Sequence, residues 1–213
     1  MRNFTWRLYL FSPFLLLPSG HLLANDAPAY DEIYIRELVA NGSGCNLQNT
    51  KIHLAPDRKS FTILFAEYLA EIYPRSERRQ ARKACQVTVN LQVPYGYQYA
   101  VAKLEYRGLV SLDAGIEAHH ESLYYFQGDQ QNSQIKKLER GPLEQSFTYV
   151  HDIDLNATIW SPCGASRSLN VKNSIAVQKT SEALDDASGL IGTDSLDGKV
   201  QHIVSLHWRR CES

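Results

Sequence analysis

The stretch Lys199-Val200-Gln201-His202-Ile203-Val204-Ser205-Leu206-His207-Trp208, running on into Arg209-Arg210-Cys211, is where the fold becomes readable. Val200, Val204, Leu206 and Trp208 share one parity. Successive side chains of a strand point to opposite faces, so this spacing predicts a strand with one buried face. A cysteine stands at its end. Upstream, Trp160-Ser161-Pro162-Cys163-Gly164 and the polar run Gly192-Thr193-Asp194-Ser195-Leu196-Asp197-Gly198 lead towards it. The reading is of a closing strand, pinned by a cysteine, that completes a β core.

The same period recurs towards the N-terminus. Leu169, Val171, Ile175 and Val177 make one run, and Phe147, Tyr149, Ile153 and Leu155 another. Val87, Val89, Leu91 and Val93 alternate with Thr88, Asn90 and Gln92, and Pro94 and Gly96 then punctuate a turn. Tyr97, Tyr99 and Val101 keep one parity while Leu104 and Tyr106 take the other, which predicts a bulge or a strand buried on both faces. Val110, Leu112, Ala114 and Ile116 continue the pattern, followed by 123–126 before a Gly128-Asp129 turn. Residues 52–54 and Phe61, Ile63 and Phe65, parted by Pro56-Asp57, read as a hairpin. The segment 130–141 is polar and reads as a loop or short exposed strand, and 68–73 is ambiguous. The basic run from Arg75 to Lys83 reads as a solvated loop or short helix leading to Cys85, with an anion-binding patch as the alternative. No long stretch carries a helical period. The expected fold class is all-β, an antiparallel β-sandwich or jelly-roll-like single domain.

The first residues have the composition of a secretory signal: Arg2 and Arg7, an apolar run over 8–17, and Ala24 as a small residue for cleavage. The expected organisation is signal peptide 1–24, N-terminal arm 25–41 and sandwich domain 42–213. Within the arm, Ile33, Ile35 and Leu38 are available to dock. The apolar run is too short to cross a bilayer, and no later stretch is a transmembrane candidate. The chain has 213 residues and a formal charge of −1, and loss of the leader with its two arginines makes it more acidic, which argues against nucleic acid as a partner. Four cysteines in an exported chain predict two disulfides, with three pairings open. The absence of Cys-x-x-Cys speaks against redox and zinc chemistry.

Several phrases taken together resemble a known family. Gly42-Ser43-Gly44-Cys45, Tyr106-Arg107-Gly108, Leu112-Asp113-Ala114-Gly115, Tyr125-Phe126-Gln127-Gly128, Trp160-Ser161-Pro162-Cys163-Gly164, Asp194-Ser195-Leu196-Asp197-Gly198-Lys199 and Trp208-Arg209-Arg210-Cys211 occur in this order. They resemble the small secreted proteins grouped as domain of unknown function 4360, across 42–211. One departure is Asn46, where the family usually has proline, and it bears only on a local turn. The resemblance brings no catalytic residues. It supports an exported location and, with the cysteines placed at strand and loop edges, the pairings Cys45 with Cys85 and Cys163 with Cys211. Loops of about forty to fifty residues would then each be closed at up to roughly 4 kcal/mol of chain-entropy stabilisation.

The chemistry-bearing groups are sparse. His119 and His120 are sequence neighbours, so on a strand they point to opposite faces and cannot share an ion, and there is no His-Glu-x-x-His. No metal or cofactor is expected. Asp185, Asp186, Asp194 and Asp197 offer hard oxygen ligands for calcium, against the simpler reading that they cap a turn before Gly198. No Gly-x-Ser-x-Gly elbow is present, and the carboxylate pairs Asp113 with Glu117 or Asp194 with Asp197 are the remaining hydrolase candidates. Tyr95, Tyr97 and Tyr99 recur at every second position, either as a flat aromatic surface for a glycan or protein or as core and rim. The candidate ligand-binding residues are therefore Asp194, Asp197, Lys199, Asp113, Tyr97 and Tyr99. The expected function is a non-catalytic secreted module binding a glycan or protein. The rival is a secreted hydrolase using carboxylates of the 185–199 loop.

Overall fold

Alternation of apolar and polar residues determines almost every element. The computed structural model describes residues 28–76, 78–193 and 201–212. In chain order the strands are β1 (Ile35–Asn41), β2 (Thr50–Leu54), β3 (Ser60–Phe65), β4 (Tyr68–Ile72), β5 (Arg82–Leu91), β6 (Tyr97–Leu112), β7 (Ile116–Phe126), β8 (Ser133–Arg140), β9 (Leu143–Asp152), β10 (Leu169–Lys179), β11 (Gly189–Thr193) and β12 (Gln201–Arg210). Three short 3-10 turns, at Tyr30–Glu32, Arg78–Ala81 and Leu155–Ala157, are the helical elements among the described residues.

The strands form two antiparallel sheets. One has the order β1-β5-β10-β7-β8, and the other β2-β3-β12-β6-β11-β4 with β9 also paired to β6. β6 is the spine of the larger sheet: β12 and β11 share one of its edges, and β9 takes the other. The core lies between the sheets. Phe61 and Ile63 of β3, Val87, Val89 and Leu91 of β5, Leu104 and Val110 of β6, Phe126 of β7, Val171 of β10 and Val204 of β12 are all buried in one contiguous cluster. Removing these side chains from water is the main favourable term in folding, at about 25 cal/mol per Å² of apolar surface.

The parity change in β6 is a bulge. Opposite β12 the register passes from Ser205↔Lys103 to Leu206↔Val101, which leaves Ala102 as the extra residue and turns Leu104 and Tyr106 inward after Tyr99 and Val101. The closing strand alternates as its sequence requires, with His202, Val204 and Leu206 buried and Trp208 half-buried, its indole N–H donating to the Arg58 carbonyl at 3.0 Å. Ile33 docks in the interior and β1 adds itself to β5 as an edge strand, so the arm contributes to the sheet.

The polar 130–141 region, read as a loop or short exposed strand, contains the exposed edge strand β8 of eight residues. One segment differs from the sequence reading: part of the 185–199 loop is β11, inserted between β4 and β6. The basic run is the 3-10 turn at Arg78–Ala81 and the start of β5, where Lys83 Nζ donates to Gln80 Oε1 at 2.7 Å. The bridges are Cys45–Cys85 and Cys163–Cys211, with Cα separations of 5.4 and 5.7 Å. The first ties the β1–β2 connection to β5, and the second ties the segment after Trp160 to the end of β12. At the β6–β7 turn Gly115 has φ of +78°, and a Cβ there would lie 2.5 Å from Ala183 N, so both conformation and space call for glycine.

Candidate ligand-binding site

Strand alternation that sends Val87, Val89, Val171, Ser122 and Tyr124 inward must send their neighbours outward. The outer face of the five-stranded sheet consequently carries rows of polar side chains set by the register. One row runs Asn41, Gln86, Lys172, Leu123, Gln134 across β1, β5, β10, β7 and β8. The next runs Ala84, Ser174, Glu121, Lys136. Because Ala84 and Ser174 are short and their neighbours long, the sheet is troughed at this point. The result is an open groove of about 360 Å³, bounded by Gln86, Glu121, Leu123, Gln134 and Lys172. That volume falls in the range of small-ligand sites.

The groove's polar groups are partly fixed in place. Asn170 Oδ1 accepts from Gln86 Nε2 at 3.1 Å and from Thr88 Oγ1 at 2.7 Å, which orients the Gln86 amide along the sheet. Lys136 pairs with Glu121 at 3.3 Å. Lys172 Nζ stands 5.4 Å from the centre of the half-buried Tyr125 ring, a cation resting over a flat aromatic face. Amides that donate and accept, an amine and an apolar edge at Leu123 together make a surface able to bind hydroxyl groups and the C–H faces between them.

Directly beneath the groove the same strands carry a buried polar cluster. Asn173 Oδ1 accepts from the Tyr68 hydroxyl at 3.0 Å, which leaves its Nδ2 to donate to His120 Nε2, also at 3.0 Å. The His120 ring therefore carries its proton on Nδ1, which has no partner among the described residues. The Tyr106 hydroxyl bonds to Ser122 Oγ, which also reaches the Lys172 carbonyl at 3.3 Å. Burial, helped by the nearby Lys137 charge, lowers the His120 pKa to about 4. Burial, helped by His120, holds His202 well below its ordinary value. Both rings are neutral at pH 7 and pack against Tyr106, with centroids 4.7 and 4.6 Å away. Burial likewise pushes the Tyr68 and Tyr106 phenols up. This cluster closes the two sheets over each other and gives the groove a rigid floor.

The residues singled out from sequence are placed as follows. Asp113 is exposed at the β6–β7 turn, and its Oδ2 accepts from Ser188 N at 2.8 Å, so its carboxylate fastens the segment entering β11. Glu117, its suggested catalytic companion, is held by Gln178 at 3.1 Å and Arg140 at 2.9 Å, and these hydrogen bonds keep its carboxyl below the usual range. Tyr97 is half-buried under the Arg210 guanidinium, which lies 5.4 Å from its ring. Tyr99 is fully buried, edge-to-face with Phe126 at 5.2 Å, and presents no ring to a ligand. Tyr95, before the strand begins, is 97% exposed. Asp194, Asp197 and Lys199 lie outside the described residues, as do residues 1–24, which the sequence reading takes as a leader. Among the described residues no group of three or more histidine, cysteine, aspartate or glutamate side chains is arranged to hold a metal.

Gln86, Lys172 and Gln134 escaped the sequence reading as site residues. The only trace of Gln86 and Lys172 was their outward parity within well-marked strands, and Gln134 lies in the polar segment read as a loop or short exposed strand.

Fold and bridges define the class: a disulfide-stapled antiparallel β-sandwich of the kind stable in oxidising compartments. The chain belongs to the family described as domain of unknown function DUF4360, whose model matches residues 31–211. It is 31% identical over 186 residues to an uncharacterized secreted protein of Arthroderma benhamiae, covering 87% of this chain and 75% of that one. Among solved structures it is similar to TmCBM61 in complex with β-1,4-galactotriose, at 7% identity and a TM-score of 0.27, covering 83% of this chain and 90% of that one. It is also similar to the CBM22-1–GH10 modules of Clostridium thermocellum endo-1,4-β-D-xylanase 10B complexed with xylohexaose, at 11% identity and a TM-score of 0.28, covering 82% of this chain and 28% of that one. Both likenesses are too distant to bear on ligand or activity.

Proposed function

We propose that the protein is a secreted, non-catalytic module that binds a glycan in the groove on the outer face of its five-stranded sheet. The observation that carries this reading is the groove itself: a floor of Ala84 and Ser174, low enough for a sugar ring to approach, edged by the Gln86 and Gln134 amides, Lys172 and Leu123. A saccharide offers hydroxyls that both donate and accept, and amides answer both roles. Export is supported by the two bridges, which persist in oxidising compartments, and by the secreted relative.

The test is to array the purified secreted protein on glycans and polysaccharides, then titrate each hit with the wild type and with Gln86→Ala and Lys172→Ala variants. Each change is expected to weaken binding about tenfold or more, which is the loss of one or two hydrogen bonds at roughly 1 kcal/mol each, more where a charged group takes part. Melting temperatures should hardly move, because the Lys172 side chain is exposed and Gln86 is half-buried. Binding that survives both changes would remove the groove as the site. Turnover of a polysaccharide or ester that is lost on changing Asp194 or Asp197 would replace this reading with the hydrolase. Capture of a protein but of no glycan would replace it with a protein-binding module.

A further inference from the structure

The turn after β9 carries Asn156-Ala157-Thr158, an Asn-x-Thr triplet with a non-proline middle residue. We infer that Asn156 is an acceptor for N-linked glycosylation. Three observations converge. Leu155, Asn156 and Ala157 are consecutive and exposed, and they form a single 3-10 turn, so a bulky substituent on Asn156 would project into solvent without displacing a strand. The Asn156 side-chain amide makes no hydrogen bond to any described residue. It is the backbone N–H of Asn156 that is engaged, donating to Asp154 Oδ1 at 2.7 Å. And the chain forms two disulfides, so its folding takes place in the oxidising compartments through which glycosylated proteins also pass.

In the transfer, Asn156 Nδ2 forms a bond to the anomeric carbon of a lipid-pyrophosphate-linked oligosaccharide as that carbon's bond to the pyrophosphate oxygen breaks. The amide nitrogen loses one proton, and the lipid pyrophosphate leaves with the bonding electrons. Nothing is oxidised or reduced. The Thr158 hydroxyl, which the triplet requires for recognition, donates to the Asp154 carbonyl at 3.0 Å in the folded turn, so it lies in the same exposed loop as the acceptor. The chain has a second described triplet, Asn41-Gly42-Ser43, at the end of the edge strand β1. Asn41 lines the groove, so a glycan there would cover it.

The full chain, secreted from a eukaryotic cell, is digested and mapped by mass spectrometry before and after peptide N-glycosidase in heavy-oxygen water. The peptide containing Asn156 is expected to carry a core glycan, and enzymatic release should leave aspartate at that position with one heavy oxygen incorporated. The Asn41 peptide is read separately in the same map. Asn156→Gln and Thr158→Ala should each remove the glycan, and Thr158→Ser should keep it. The wild-type map decides whether or not any variant is secreted. An Asn156 peptide found unmodified in the secreted wild-type protein overturns the inference, as does a glycan that persists on this peptide after Asn156→Gln.

Discussion

At the scale of single residues, the most consequential feature is a pair of imidazoles placed where water does not reach. His120 and His202 sit between the sheets, neutral because burial disfavours their charged forms. Around His120 stand the Tyr106, Tyr149 and His202 rings, Asn173 of β10, Ser122 of its own strand and Lys137 of β8; burial away from water, and after it the Lys137 charge, oppose a positive charge on the ring. The folded pKa of His120 is depressed to about 4 from an ordinary 6.5. Between those values the unfolded chain binds more protons than the folded one, so stability is complete above about pH 6.5 and drains as pH falls towards 4. For His120 alone the loss is about 2 kcal/mol between pH 7 and pH 5. Urea unfolding at the two pH values should show it, and His120→Gln should lose less stability on acidification than the wild type. An identical loss in both proteins would remove His120 as the cause. The sequence showed only part of this. His202 shares the parity of Val204, Leu206 and Trp208 and was legible as inward, whereas its meeting with His120 around Tyr106 depends on a pairing of sheets that only the fold defines. Tyr99 is a similar case. Its spacing from Tyr97 was correctly that of one strand face, and the pairing made that face the interior.

At the scale of elements, strands whose two faces differ were legible, a mostly polar edge strand stayed open between loop and strand, and a short inserted strand was missed. β5, β10 and β12 announce themselves through strict alternation, and even the β6 bulge could be read from a shift of parity. β8 carries mostly polar residues because it is an exposed edge, with Ile135 as its single fully buried side chain. β11 is short and lies within the stretch read as the 185–199 loop. Gly192 serves close packing: a Cβ there would lie 2.6 Å from Leu69 Cδ1 and 2.8 Å from Tyr68 O. Gly192→Val is therefore expected to part β11 from β4 and lower the melting temperature by several degrees, whereas an unchanged melt would mean the two strands can separate at no cost. The disulfides act at this scale too. Cys45–Cys85 closes a separation of 40 residues, for which chain entropy predicts up to about 4 kcal/mol. Replacing both cysteines by alanine should lower the unfolding free energy by roughly 2 to 4 kcal/mol, read from denaturant midpoints at constant slope. A change under about half a kcal/mol would show that β1 and the Cys45 loop are held by pairing and packing alone.

At the scale of the whole molecule, the candidate groove illustrates why function was harder to read than fold. Its residues come from β1, β5, β7, β8 and β10 and are scattered from Asn41 to Ser174, so no local motif announces them. They meet because two sheets share one core, and that sharing makes a prediction of its own. The buried apolar cluster is continuous from β3 and β12 through β6 to β7, β10 and β5. Polar links cross the same interface: Tyr106 of β6 to Ser122 of β7, and Tyr68 of β4 to Asn173 of β10. Opening one sheet alone would leave these buried groups unpaired and expose the apolar face of the other, so partial unfolding is costly. The chain should consequently unfold as a single cooperative unit. Trp160 bridges to β6 and Trp208 lies on β12, so indole fluorescence reports the seven-stranded sheet. A fluorophore on a cysteine introduced at Lys136 would report the five-stranded sheet from its exposed edge. Denaturant curves from both probes and from far-ultraviolet circular dichroism are expected to coincide in midpoint and slope. If the Lys136 probe moved at a lower denaturant concentration than the tryptophans, the smaller sheet would be an independently melting layer, and the rigid floor ascribed to the groove would be lost with it.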